Sequence, residues 1–472
     1  MSLKQEGGLF LHCADIHLDS PIHGLGGHEG GFEVTDELGN ATRKSFQALV
    51  NLAIAKHVKA VVIAGDLYDG ERDDWSTAVF LQRELGRLQR AHIPVIIAWG
   101  NHDAANKITH RLRPPDNVHV LSSQEPETFE VDGAGLAFHG QSYPRRDIRE
   151  NLVLDYPEPL EGRLNVGVLH TALKGSTGHE PYAPCSPWEL EQKRYQYWAL
   201  GHVHQRQVIQ PDEEGKPWIV YPGNLQGRHP RESGSKGATL VTYEGTKVVS
   251  CEHVPLCFLE WQVIQVNFPP RLLPGANREA SLDNEALSPA VEDILSSCST
   301  EIAQALAKAS DRGAEFLAAR VAISCGEPAY SHLVSRREWV STQLQADAAD
   351  RVWIERIDIG KASQDQRPLP KGDLSASIEG TVRLARANEE VAKELMSHLQ
   401  LLRRLLDSLG RPNTSRVLLE LLEAAGLNED FLENPSGILA EAGALLMDRL
   451  DLSPSTKEAT APEYISRSRD VD

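Results

Sequence analysis

The chain has 472 residues, and its 48 Lys and Arg against 67 Asp and Glu give a formal net charge of −19. Hydrophobic residues make up 41% and charged residues 24%, an ordinary globular composition that excludes a wholly disordered chain, and the length calls for two or three domains. The acid excess excludes non-specific coating of nucleic acid, which needs clustered Lys and Arg, unless bound divalent cations reverse the sign locally.

In the first half, short apolar runs bounded by Gly, Asp or Pro predict strands at 9–13, 58–64, 94–99, 136–139, 165–169, 195–200, 218–221 and 239–243. Between them, 42–57 and 74–90 carry apolar residues near helical spacing (Phe46, Leu49, Ala53; Val79, Leu85, Leu88). Strands interleaved with helices predict an α/β layer architecture over 1–255. After about residue 255, strands at 261–268, 320–324 and 351–359 and one or two helices within 288–310 predict a small α+β domain over 256–360. Residues 361–373 (KASQDQRPLPKGD) have the composition of a linker. In the segment 374–452, Leu395, Leu399, Leu402, Leu406 and Leu409 recur at steps of four and three, an amphipathic helix. Shorter helices are expected at 417–425 and 438–450, and 453–472 is a polar, disordered tail.

The histidines are unevenly placed: 15 of the 18 fall in residues 1–250, leaving His253, His332 and His398. A metal or acid–base site is therefore expected in the front half. Cys13, Cys185, Cys251, Cys257, Cys298 and Cys325 show no CxxC spacing, so neither a zinc ribbon nor a disulfide framework is indicated and a reducing compartment fits. The N-terminus lacks the pattern of a signal peptide, and no run approaches the ~18 apolar residues of a membrane helix. The expectation is a cytoplasmic protein.

The chemistry lies in the polar residues directly behind the strands. The first strand runs into Asp15-Ile16-His17, the second into Gly65-Asp66-Leu67-Tyr68-Asp69, and the third into Gly100-Asn101-His102-Asp103. Two later strands end at His170 and at Gly201-His202-Val203-His204. Open α/β sheets place ligand sites at such carboxyl ends, and the glycines at 65, 100 and 201 are expected to allow sharp turns there. Carboxylate, amide and imidazole without thiolate suit Mn²⁺, Fe²⁺ or Zn²⁺. Seven candidate ligands are too many for one tetrahedral ion and suit two ions about 3.5–4 Å apart, the clamp used for in-line phosphoryl displacement. Asp66 is the natural bridge, with an oxygen for each ion. Each motif alone has a structural explanation, such as a strand-to-turn signal or a strand-end histidine bonded to backbone; the ordered set of five is far more specific.

That ordered set, D-x-H, G-D-x-x-D, G-N-H-D, a lone His and G-H-x-H, resembles the calcineurin-like metallophosphoesterases over roughly residues 9–250. Within them, GDLYDGERDDW, PYAPCSPWEL, YWALGHVHQRQV and YPGNLQGRHPRE are similar to the SbcD-type DNA repair exonucleases, in the YhaO-like branch. The resemblance implies a β-sandwich flanked by helices, then a capping domain and a helical segment. It implies one ion on Asp15, His17, Asp66 and His204 and a second on Asp66, Asn101, His170 and His202, with Mn²⁺ first and Fe²⁺, Mg²⁺ or Zn²⁺ as alternatives. His102 matches the histidine that binds no metal and protonates the leaving oxygen. Asp103 either orients His102 or stabilises its own turn.

One departure stands out. Many SbcD-type nucleases carry a second histidine shortly after the bridging aspartate, whereas Asp69 to Asp74 here is acidic, which bears on duplex-end exonuclease activity more than on phosphodiester chemistry. Arg228, His229 and Arg231 after the 222–224 turn, and Arg145 and Arg146, either grip phosphates or are surface residues. Tyr143 and Trp75 either stack on bases or pack. Segment 374–452 either docks on an SbcC-like (YhaN-like) coiled-coil ATPase or packs within the chain. The resemblance also suggests a homodimer. The expected function is a Mn²⁺-dependent DNA exo- or endonuclease. The alternatives are a phosphodiesterase or phosphatase for small nucleotides or phosphoproteins, and a non-catalytic DNA-end tether regulating an ATPase.

Overall fold

In a computed structural model of the chain, residues 7–362 are described apart from 26–35, 70–74, 106–112, 132, 175–179, 214, 269–287 and 328. The chain divides into two units, Met1–Ser363 and Gln364–Asp472. The linker from 363 on, the leucine stripe, the helices after it and the polar tail lie outside the described residues.

The chain opens with β1 (Gly7–Cys13), α1 (Asp36–Gly39), α2 (Ala41–Ala55), β2 (Ala60–Ala64), α3 (Trp75–Arg90), β3 (Val95–Ala98), α4 (Asn101–Ala105) and β4 (Val118–Val120). It continues through β5 (Glu127–Val131), β6 (Leu136–Gly140), β7 (Leu164–His170), α5 (Pro187–Gln192), β8 (Tyr197–Gly201), β9 (Gln207–Ile209), β10 (Trp218–Tyr221), β11 (Gly237–Glu244) and β12 (Lys247–Pro255). These strands make two six-stranded sheets, in the orders β12-β11-β1-β2-β3-β4 and β5-β6-β7-β8-β10-β9. Both have parallel centres: β1 to β4 pair in parallel, as do β6-β7-β8-β10.

Strand β2 (AVVIA) shows why the sequence builds layers. All five residues are buried, as expected of a strand covered on both faces. Val61 and Ile63 join Leu11, Val95 and Ile97 against Phe46, Leu49 and Ala53 of α2 and Leu85 and Leu88 of α3. On the other face, Ala60, Val62 and Ala64 join Phe10 and Ile96 against Phe138, Val166, Val168, Tyr197 and Ala199 of the second sheet. The second sheet's outer side, with Leu169, Trp198, Leu200 and Tyr221, is closed by Leu190 of α5 together with Val153 and Tyr156. The result is a β-sandwich flanked by helices.

Beyond it, β13 (Leu259–Phe268), α6 (Ser288–Asp311), β14 (Phe316–Cys325), α7 (Ala329–Ser335), α8 (Arg337–Asp347) and β15 (Val352–Lys361) form a third sheet, all parallel, with helices packed on one face. The 288–310 expectation becomes one helix. Helices α7 and α8 have no counterpart among the expected elements; α8 buries only Val340 and Leu344, so its apolar periodicity is faint.

Candidate metal centre

The loops leaving β1, β2, β3, β7 and β8 meet at one end of the sandwich. The first two run side by side: Asp15 N donates to Gly65 O (3.0 Å), His17 N to Asp66 O (3.0 Å) and Leu18 N to Leu67 O (2.9 Å). Asp15, His17, Asp66 and His202 all hold positive φ (50°, 45°, 52° and 98°), a conformation that costs a non-glycine residue about 1–3 kcal/mol and is held only where surroundings enforce it. Part of that enforcement is visible: the Asp15 carboxylate accepts from His202 N (3.1 and 3.0 Å), and Asp66 Oδ1 accepts from His102 N (3.0 Å). Of the three glycines expected to make turns, only Gly65 has positive φ, +92°. Gly100 and Gly201 are needed for space: a Cβ on Gly100 would overlap Asp66 Oδ1, and one on Gly201 the Ala64 carbonyl oxygen.

Five donors converge in this pocket of loops. His17 Nε2 lies 3.3 Å from His204 Nε2 and 3.8 Å from Asp66 Oδ2; His204 Nε2 lies 3.7 Å from Asp15 Oδ1; His170 Nε2 lies 3.4 Å from Asp66 Oδ2. Their donor atoms form two cation-sized clusters, Asp15–His17–His204 and Asp15–Asp66–His170. Asp66 Oδ2 faces a histidine of each implied ligand set, while Oδ1 accepts from His102 N.

The residues fit a pair of divalent cations. The donors are carboxylate and imidazole, and the His17 and His204 Nε2 atoms face each other at 3.3 Å among them. Asp15 and Asp66 are both buried, which is costly for like charges without a compensating cation. Burial and the neighbouring Asp66 charge push the Asp15 carboxyl up, although His204 and His170 oppose this. Burial works against ionised Asp66 too, yet His170, His17 and His102 outweigh it and hold its carboxyl well below the usual range. Burial opposes a charge on His170, but Asp66 and Asp15 override it and push the imidazole up to about 9. Burial, with Arg228 adding to it, pushes His17 down to about 3.

Two other implied ligands stand beside the clusters. Asn101 Oδ1 is 3.0 Å from His170 Nε2. The His202 ring centroid is 5.2 Å from that of His170, and its Nε2 faces Glu180 O at 3.0 Å. His102, its side chain 31% exposed, lies at the cleft with its ring edge-on to His17, centroids 5.0 Å apart.

Asp103 does not orient His102. Its fully buried carboxylate accepts from Gly100 N (3.0 Å), Leu67 N (3.2 Å) and Tyr68 N (2.9 Å), so it locks the loops after β2 and β3, the turn-stabilising alternative. The carboxylate beside the His102 ring is Asp69, which is absent from the set of residues expected in the site. Its Oδ1 is 3.7 Å from His102 Nδ1, 3.4 Å from His17 Nδ1 and 3.5 Å from Arg228 Nη1. The available signal was its place as the last residue of G-D-x-x-D.

An open cleft of about 540 Å³ lies over the centre, lined by Asp66, Asn101, His102, His202, His204, Tyr182 and Glu180. Arg146, His229 and Arg231 also line it. Arg228 sits deeper, 14% exposed, with Nη1 donating to Ser20 Oγ (3.0 Å). Arg145 does not line the cleft; it is an exposed surface residue whose guanidinium is engaged by Glu150 (2.7 Å) and the Asp147 carbonyl (3.1 Å). Tyr143 is a packing residue, buried with its hydroxyl donating to His170 O (2.5 Å). Trp75 is exposed at the start of α3.

Residues 8–206 match the Calcineurin-like phosphoesterase family. The uncharacterized metallophosphoesterase YhaO of Bacillus subtilis is 36% identical over 235 residues, covering 49% of this chain and 56% of that protein. The DNA double-strand break repair protein Mre11 of Sulfurisphaera tokodaii is 30% identical over 252 residues, 50% of this chain and 59% of that protein. A dimetal phosphatase from Danio rerio aligns with 52% of this chain at 12% identity and a TM-score of 0.32, too loose a likeness to carry weight. The chain thus spans rather more than half the length of these two curated relatives. Residues 8–206 thus resemble a calcineurin-like phosphoesterase domain, and two sheets flanked by helices are consistent with that fold. Among the described residues, no helix is long and apolar enough to cross a membrane.

Proposed function

We propose that this chain is a dinuclear phosphodiesterase acting on DNA, a nuclease of the SbcD type that works beside an SbcC-like coiled-coil ATPase. One observation carries the reading: Asp15, His17, Asp66, His170 and His204, delivered by four separate strands, aim their donor atoms at common points beneath an open cleft. Asp15, His17, Asp66 and His204 would hold one ion, and Asp66, Asn101, His170 and His202 the other. Mn²⁺ suits such mixed oxygen and imidazole donors. When bound, such a pair supplies charge to activate water and to stabilise the leaving oxygen.

The chain's own residues do the rest. His102, beside Asn101 and facing the cleft, is placed to give a proton to the departing sugar oxygen. Its backbone is held by Asp66, so the acid and the bridging ligand keep a fixed relation. Arg146, His229 and Arg231 at the rim would seat the flanking phosphates. The repair function printed for the Mre11 relatives supports a DNA substrate. A second reading, small phosphodiesters as substrates, is favoured by the exposed carboxylate of Glu180 in the same cleft wall, which repels a long polyanion.

Both readings meet in one experiment. With Mn²⁺, the chain is expected to cleave single-stranded DNA, and His102→Ala or His202→Ala to lower that cleavage at least ~10²-fold with unchanged circular dichroism. Cleavage unaffected by either substitution overturns the mechanism. Hydrolysis of bis-p-nitrophenyl phosphate or a cyclic dinucleotide, but never of DNA, replaces the first reading with the second.

A further inference from the structure

We propose that Glu232 is a positioning residue that ties His204 to the basic turn at the cleft rim, so that one buried carboxylate sets both a metal ligand and the phosphate contacts. The inference rests on the dinuclear reading above.

Glu232 lies between β10 and β11 and is 6% exposed. Its Oε1 is 2.6 Å from His204 Nδ1. An ionised carboxylate only accepts, so Nδ1 carries the proton and the lone pair stays on Nε2. That is the nitrogen facing Asp15 Oδ1 at 3.7 Å and His17 Nε2 at 3.3 Å. The other oxygen, Oε2, accepts from Arg228 N (2.7 Å) and Asn224 Nδ2 (2.9 Å), which closes the turn bearing His229 and Arg231. His229 Nε2 lies 3.4 Å from Oε1. The same turn is gripped from behind by β13: Gly234 N donates to Trp261 O (2.7 Å) and Trp261 Nε1 to Gly227 O (3.1 Å). With its back fixed, the turn's front edge is set by Glu232.

Glu232→Gln keeps the shape but offers one acceptor oxygen where two are used, and its amide opposes the donors on one side. Mn²⁺ titrated calorimetrically into the metal-free full-length chain is expected to bind at two sites in the wild type. In Glu232→Gln one of the two should weaken by about 10–100-fold, the usual cost of losing a ligand's outer partner, while the other is retained. The KM for bis-p-nitrophenyl phosphate should rise in parallel as the turn loosens. Glu232→Asp, which keeps the charge one methylene shorter, should fold and lie between the two. A purely structural Glu232 would lower the melting temperature and leave Mn²⁺ affinity and KM at wild-type values. That result, in Gln or, should Gln misfold, in Asp, overturns the proposal. A wild type that takes up no Mn²⁺ overturns the dinuclear reading and this inference with it.

Discussion

His170 shows how burial and charge prepare one side chain for a metal. Asp66 and Asp15 hold its proton up to about 9, so at neutral pH an incoming cation must displace that proton. Mn²⁺ binding at pH 7 is therefore expected to release protons, and affinity should climb as pH rises toward about 9. Titration in buffers of different ionisation heat reads this directly; an enthalpy that ignores the buffer contradicts it. The ligands are legible in the sequence because each is a polar residue directly behind an apolar strand, where neither core nor solvent explains it. Asp103 misleads for the same reason: adjacency to His102 suggests partnership, but helical geometry turns its carboxylate onto the amides of Gly100, Leu67 and Tyr68. Asp69 is marked only by its place in G-D-x-x-D, and Glu232 acts across loops through contacts that no spacing in the chain encodes.

Among the strands, the misses have one physical cause. The interior strands of both large sheets are legible as apolar runs, whereas β12, β4, β5 and β9, the four edges, are not. An edge strand is covered less, so it needs no apolar run: β12 has no fully buried residue, and β4 is three half-buried residues. Glycines tell the same story at the ends of interior strands. Gly201→Ala drives a methyl into the Ala64 backbone and should cost at least the ~1–3 kcal/mol of overpacking, and Gly100→Ala should displace Asp66 and abolish Mn²⁺ uptake. Gly86→Ala, in mid-α3 with only the tip of Arg90 nearby, should instead stabilise by about 0.5–1 kcal/mol. Urea unfolding of the three variants checks the ordering; equal shifts in all three contradict it.

For the whole molecule, the net charge of −19 is shared unequally: 25 basic against 32 acidic side chains in residues 1–250, and 23 against 35 beyond. Some front-half acids belong to the candidate site, and two divalent ions would add about four positive charges there. The larger surplus lies beyond residue 250. If DNA is the substrate, as proposed, unaided grip on it should be weak and salt-sensitive. The most direct test is to strip the full-length chain of metal, restore Mn²⁺ in steps, and measure cleavage of end-labelled single-stranded DNA at each step. Cleavage that is absent without metal and reaches its full rate only at two ions per chain is the expected result. Cleavage that survives chelation, saturates at one ion, or never appears on DNA at any Mn²⁺ loading would contradict the account.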